Sequence, residues 1–111
     1  MKRNRYREQK KDKRRNFPEP EMWGLYHTIS AWIAPRLEEF LKFYAPLATP
    51  GNLADEYGDE RGNLEWRRIL RKMKYSFECL SAYTGYRPED DQAKIQEGLE
   101  LFVKYFRCLW Y

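Results

Sequence analysis

The chain has 111 residues, and its 21 Lys or Arg against 17 Asp or Glu give a formal net charge of +4. That length allows one domain, and no apolar run approaches the roughly 18–20 residues a membrane-spanning helix needs, so no membrane partner is expected. Cys79 and Cys108 have no metal-type spacing, which makes two free thiols in a reducing compartment the expectation and excludes a disulfide scaffold.

The net charge describes neither part of the chain. Residues 1–16 hold nine Lys or Arg against Glu8 and Asp12, a net of +7, while the other 95 residues are net −3. Lys2, Arg3, Arg5, Arg7, Lys10, Lys11, Lys13, Arg14 and Arg15 share that stretch with Tyr6 as its apolar content. Such a segment cannot bury enough surface to offset the entropy of ordering itself. A disordered basic arm over residues 1–18 is expected, a tethered polycation suited to nucleic acid or another polyanion. A solubilising tail or an assembly arm is the alternative. With no hydrophobic stretch after its basic residues it does not read as a secretory signal, and its acids argue against a mitochondrial presequence. Phe17-Pro18-Glu19-Pro20 closes the arm, because two prolines around one residue hold the chain extended.

From Met22 the apolar period is helical: Met22, Tyr26, Ile29, Ile33, Leu37, Phe40 and Tyr44 step by three or four. Pro35 falls on the polar side of that wheel, so one helix over residues 22–44, kinked at Pro35, is expected, with a break into two as the alternative. Ala45 to Gly62 reads as a long acidic loop from its prolines, glycines and acids. Asn63 is a plausible N-cap for a second helix whose apolar stripe is Trp66, Ile69, Leu70, Met73, Phe77 and Leu80, with Gly85 as its stop.

Pro88 suits the first position of a third helix, with Glu89, Asp90 and Asp91 at its positive dipole end. Its expected core stripe is Ile95, Leu99, Phe102, Phe106 and Leu109. Around that stripe the helix is greasy except for a narrow seam of Glu97, Glu100, Lys104 and Arg107, so it is either the central helix or an oligomer interface. Val103, Tyr105, Trp110 and Tyr111 are the candidate interface residues of a homo-oligomer. Gly98, inside the helix, is expected to mark a close helix crossing, since glycine there costs about 1 kcal/mol relative to alanine. Together these elements predict an all-α fold, a three-helix bundle over residues 19–111 with antiparallel neighbours.

Catalysis has little to stand on. His27 is the single histidine, and a cysteine nucleophile would need it as base. Adjacent acid pairs point about 100° apart on a helix and seldom chelate together, and the acids of residues 45–62 lack EF-hand spacing. No enzyme, cofactor or metal is expected. The second helix carries a stronger pattern. Opposite its apolar stripe, Arg68, Arg71 and Tyr75 fall together with Arg67, Lys72 and Lys74 on the flanks, which suits phosphate contacts plus ring stacking. The alternative is a solvated face that pairs with the acidic third helix or the acidic loop.

Three segments carry a resemblance: Trp23 to Leu37 (WGLYHTISAWIAPRL), Glu65-Trp66 with Leu70 to Met73 and Ser76 to Glu78, and above all Lys94 to Trp110 (KIQEGLELFVKYFRCLW). Through them residues 23–110 resemble a group of small proteins encoded by bacterial viruses. The resemblance implies phage origin and a host-cytoplasmic location, and it brings no activity with it. The expected function is thus a non-enzymatic, phage-encoded accessory protein that binds nucleic acid through the arm and the second helix. Two alternatives stand beside it: an oligomeric anti-defence protein sequestering a phosphorylated nucleotide signal, and a helical structural assembly module.

Overall fold

The computed structural model describes residues 15–81 and 89–111, and every regular element among them is helical. In chain order these are α1 (Glu19–Trp23), α2 (Leu25–Glu39), a π-helical turn (Phe40–Tyr44), a 3₁₀ turn (Ala45–Leu47), α3 (Gly51–Tyr57), α4 (Asp59–Ser81), α5 (Glu89–Tyr105) and a closing 3₁₀ turn (Phe106–Cys108). Seven of the nine arm cations (Lys2 aside) are candidate contacts that lie outside the described residues: Arg3, Arg5, Arg7, Lys10, Lys11, Lys13 and Arg14. Arg15 is described and pairs with Glu19, four residues on, at 3.2 Å. Gly85 and Pro88, the expected stop and start signals of the second and third helices, also lie outside.

The organising element is α4. Its buried residues, Gly62, Trp66, Ile69, Leu70, Met73, Ser76 and Phe77, recur at three and four but include adjacent pairs. That makes a wide apolar arc able to serve two neighbours. α2 packs on one part of it and α5 on another, and among the described residues no Cα of α2 comes within 8 Å of one in α5. The middle helix of the sequence is therefore the central one. The reading of the third helix as the central one is corrected.

The first helix differs from the expected single helix kinked at Pro35. Its breaks fall at Gly24, which leaves helical geometry at φ −135° and ψ 62°, and at the π turn, where the Ala45 N–H donates to the Phe40 carbonyl. Pro35 sits inside α2 with its ring in solvent. The buried face is also not the whole apolar stripe. Its fully buried residues are Leu37 of that stripe and the small Ser30 and Ala34, with Ile33 and Phe40 packed partly against the core, whereas Met22, Tyr26 and Ile29 are exposed. At its N-terminal end α2 is tied to the far end of α4 by His27, whose Nδ1 donates to the Leu80 carbonyl at 2.5 Å. The carbonyl can only accept, so the proton is on Nδ1 and the lone histidine is a structural clasp.

Residues 45–62 are not a loop. Pro50 precedes α3 and Gly58, at φ 85°, ends it, so these residues punctuate a short helix instead of marking its absence. α3 is held down by Leu53, which is buried, and by Gly62 of α4, where an added Cβ would lie 2.8 Å from the Leu53 carbonyl oxygen. Asn63 is within α4 and caps nothing. Its Nδ2 donates to the Ala45 carbonyl at 2.8 Å and to Thr49 Oγ1 at 2.9 Å, fixing the chain that leads from α2 into α3.

α5 crosses α4 where sequence alone suggested a close approach. A Cβ on Gly98 would stand 1.9 Å from Ser76 Oγ and 2.3 Å from the Lys72 carbonyl oxygen. Ser76, 0% exposed, donates to the Ile95 carbonyl at 2.7 Å and so satisfies its hydroxyl inside the crossing. Farther along, Tyr105 replaces Phe106 in the buried stripe. Tyr105 is 5% exposed, its ring 5.6 Å from that of Trp66, and its hydroxyl accepts from Asn52 Nδ2 at 3.3 Å. It is a core residue and is withdrawn from the candidate oligomer surface. Phe106, Val103, Trp110 and Tyr111 all stand in solvent, although the Tyr111 ring stacks on Tyr44 at 4.2 Å.

Candidate functional site

The basic face of α4 forms one wall of a furrow whose other wall is α5. One hollow of about 380 Å³ is lined by Arg68, Arg71, Lys72, Tyr75, Lys94 and Glu97. A second, of about 340 Å³, adjoins it through Arg68 and Arg71 and is lined further by Tyr57, Arg61, Leu64 and Glu65. Arg68, Arg71, Lys72 and Tyr75, expected together from their helical spacing, are thus brought together. The structure adds Arg61 and Tyr57 from the α3–α4 corner and Lys94 from α5.

These cations are not equally available. Arg68 grips Glu65 with both Nε, at 3.0 Å from Oε2, and Nη2, which donates to Oε1. That bond holds the Glu65 carboxyl below its ordinary range and raises Arg68. Lys72 Nζ donates to Glu97 Oε2 at 2.7 Å, which lowers the Glu97 carboxyl in the same way. A depressed carboxylate contributes its pairing above the ordinary glutamate range and loses it as pH falls through the lowered value. Acidification therefore frees Arg68 and Lys72. Arg61, Arg71 and Lys94 make no ion pair among the described residues, and Arg71 stands where the two hollows meet.

Tyr75 departs from the expected role of a free stacking platform. It is half-buried, and its hydroxyl donates to Asp91 Oδ1 at 3.0 Å. Its phenol is pushed up, first by a hydrogen bond with Cys79 and then by the bond to Asp91, so it stays a neutral donor. It links α4 to α5, and with Lys72–Glu97 it shows that the basic face does engage the acidic third helix at two points. Lys74 is drawn off elsewhere, to Glu78 at 3.2 Å and Glu38 at 3.9 Å.

The sequence held a signal for Lys94: it lies three residues before Glu97, at the head of the polar seam on the third helix. Arg61 was hidden by reading residues 45–62 as loop. Among the described residues no group of His, Cys, Asp or Glu is arranged to hold a metal ion, and no helix is long and apolar enough to cross a membrane. No protein-family model matches the chain, and neither a curated protein nor a solved structure aligns with it significantly.

Proposed function

We propose that the protein is a non-enzymatic, phage-encoded accessory factor that binds nucleic acid, with the basic arm supplying long-range attraction and the α4–α5 furrow a fixed docking site. The observation that carries this reading is the set of Arg61, Arg71 and Lys94, which make no ion pair among the described residues and line, with Tyr57, two adjoining hollows. Cations that no carboxylate neutralises are the ones that can release counterions from a phosphate backbone, and ring faces beside them can accept unstacked bases.

Arg71→Ala with Lys94→Ala is expected to weaken binding of a single-stranded oligonucleotide by about tenfold or more at moderate salt and to lower the salt slope by roughly two. The unfolding free energy should stay within about 0.5 kcal/mol of the parent, because neither side chain makes an ion pair or hydrogen bond among the described residues. Titration by fluorescence anisotropy at several salt concentrations checks both. Unchanged affinity and slope would remove the furrow from the binding surface. Tyr75 is a poorer probe, since its bond to Asp91 couples any substitution to stability.

The hollow of about 380 Å³ also favours a second reading, the capture of a phosphorylated nucleotide, because ligand pockets run from about 300 to 1,000 Å³. Nucleic acid should bind more tightly as it lengthens and weaken steeply with salt. A nucleotide site should instead saturate with one small ligand and ignore added length.

A further inference from the structure

α2 has two apolar faces. One is the face packed on α4. The other faces solvent, where Leu25, Ile29 and Trp32 step by four and three along one side of the helix and are 45%, 52% and 58% exposed. Met22 and Tyr26 flank its start, and Phe43 is exposed in the π turn beyond its end. Trp32 is also held in place. The Arg36 guanidinium lies 4.0 Å from its ring centre, and Arg36 Nη1 donates to the Trp32 carbonyl at 2.8 Å. A rigid aromatic on an exposed apolar ridge is the kind of group that anchors an interface.

We infer that this outer face of α2 is a homodimer interface, with a second copy of the chain laid antiparallel across it and Ile29 near the two-fold axis. The area fits. These side chains, each about half exposed, offer on the order of 700 Å², close to the roughly 800 Å² each partner gives to a standard interface. The pattern is self-complementary as well. With Ile29 on the axis, Trp32 of one copy meets Tyr26 of the other, so apolar groups face apolar groups. Charge agrees at the two ends. Arg36 lies at one end of the ridge and Glu21, which has no ion pair among the described residues, at the other. Antiparallel pairing brings each Arg36 toward the opposing Glu21, whereas a parallel pair would stack like on like. The basic arm is a poor alternative cover, because residues 1–14 have Met1 and Tyr6 as their only large apolar side chains.

The test is the mass of the full chain by sedimentation velocity from micromolar to submillimolar concentration. A dimer is expected, and Ile29→Asp with Trp32→Asp should weaken it by about a hundredfold or more. Both side chains lie off the α4 contact, so helicity should persist. Glu21→Arg and Arg36→Glu should each weaken the dimer, and the two combined should restore most of it. A monomer throughout that range overturns the proposal, whether or not the face then binds a lipid vesicle. A dimer that survives Ile29→Asp/Trp32→Asp but separates on Val103→Asp with Trp110→Asp also overturns it, placing the contact at the C-terminal aromatic edge instead.

Discussion

Gly98→Ala is expected to cost about 3 kcal/mol of unfolding free energy, the upper end of what inserting one carbon into a packed core usually does. Alanine is the better helix former by about 1 kcal/mol in isolation, so the sign is opposite to the local propensity. The reason is geometric. Ser76 Oγ, 1.9 Å from the new carbon, could rotate away, but it would abandon its bond to the Ile95 carbonyl. The Lys72 carbonyl oxygen, 2.3 Å away, belongs to the α4 backbone and cannot move unless the two helices separate. Chemical denaturation should show a lower midpoint, and heating a Tm lower by on the order of 15 °C for a domain of this size. Placing the variant in a Ser76→Gly background should recover only part of the loss, because the backbone contact remains. Unaltered stability would mean that α4 and α5 do not cross at these residues.

Deleting residues 1–14 is the variant expected to change binding most. It removes eight Lys or Arg and two acids. If about six of those cations reach phosphates, the slope of log affinity against log salt should become shallower by about 5, with a loss of at least a hundredfold at moderate salt. Titrating the truncated and full chains with the same oligonucleotide across a salt series measures both numbers. Equal affinity at every salt concentration would end any role of the arm in binding. A loss of affinity without a change in slope would mean that the arm acts other than through phosphate charge.

The helical class was legible because apolar residues at three- and four-residue spacing, in segments free of β-branched runs, have one economical reading. α4 was the plainest: its stripe from Trp66 to Phe77 is buried as expected, and its polar side carries Arg68, Arg71 and Lys72 into the furrow. α2 was misread in part: Ile33, Leu37 and Phe40 of its expected stripe do pack on the core, but Met22, Tyr26 and Ile29 do not. Burial there went to Ser30 and Ala34, where small size permits a close approach, and left Ile29 and Trp32 outside. Periodicity cannot distinguish a helix apolar on two sides from one apolar on a single broad side. Residues 45–62 were misread for a related reason. Pro50, Gly51 and Gly58 punctuate a seven-residue helix whose burial rests on Leu53 alone, too weak a period to detect. In the third helix the slip from Phe106 to Tyr105 follows the change from α to 3₁₀ geometry at Phe106, which a fixed 100° step cannot anticipate. The furrow itself needed the α4–α5 crossing, since no spacing within one helix could bring Lys94 beside Arg71.

Because no Cα of α2 comes within 8 Å of one in α5, the protein is assembled as a spine with two leaves, the α5 leaf pinned at its C-terminal end by the Tyr105–Asn52 bond and the Tyr111–Tyr44 stack. A leaf so held can exchange its amide hydrogens by swinging open from its other end while the remainder stays folded. α5 is the leaf that carries Lys94 and Glu97, the far wall of the furrow. A polyanion lying across both walls would fasten that leaf to its spine, so protection factors along residues 91–105 should rise on ligand addition more than those of α2. Deuterium uptake would then report occupancy of the furrow from a helix that contributes few of its cations.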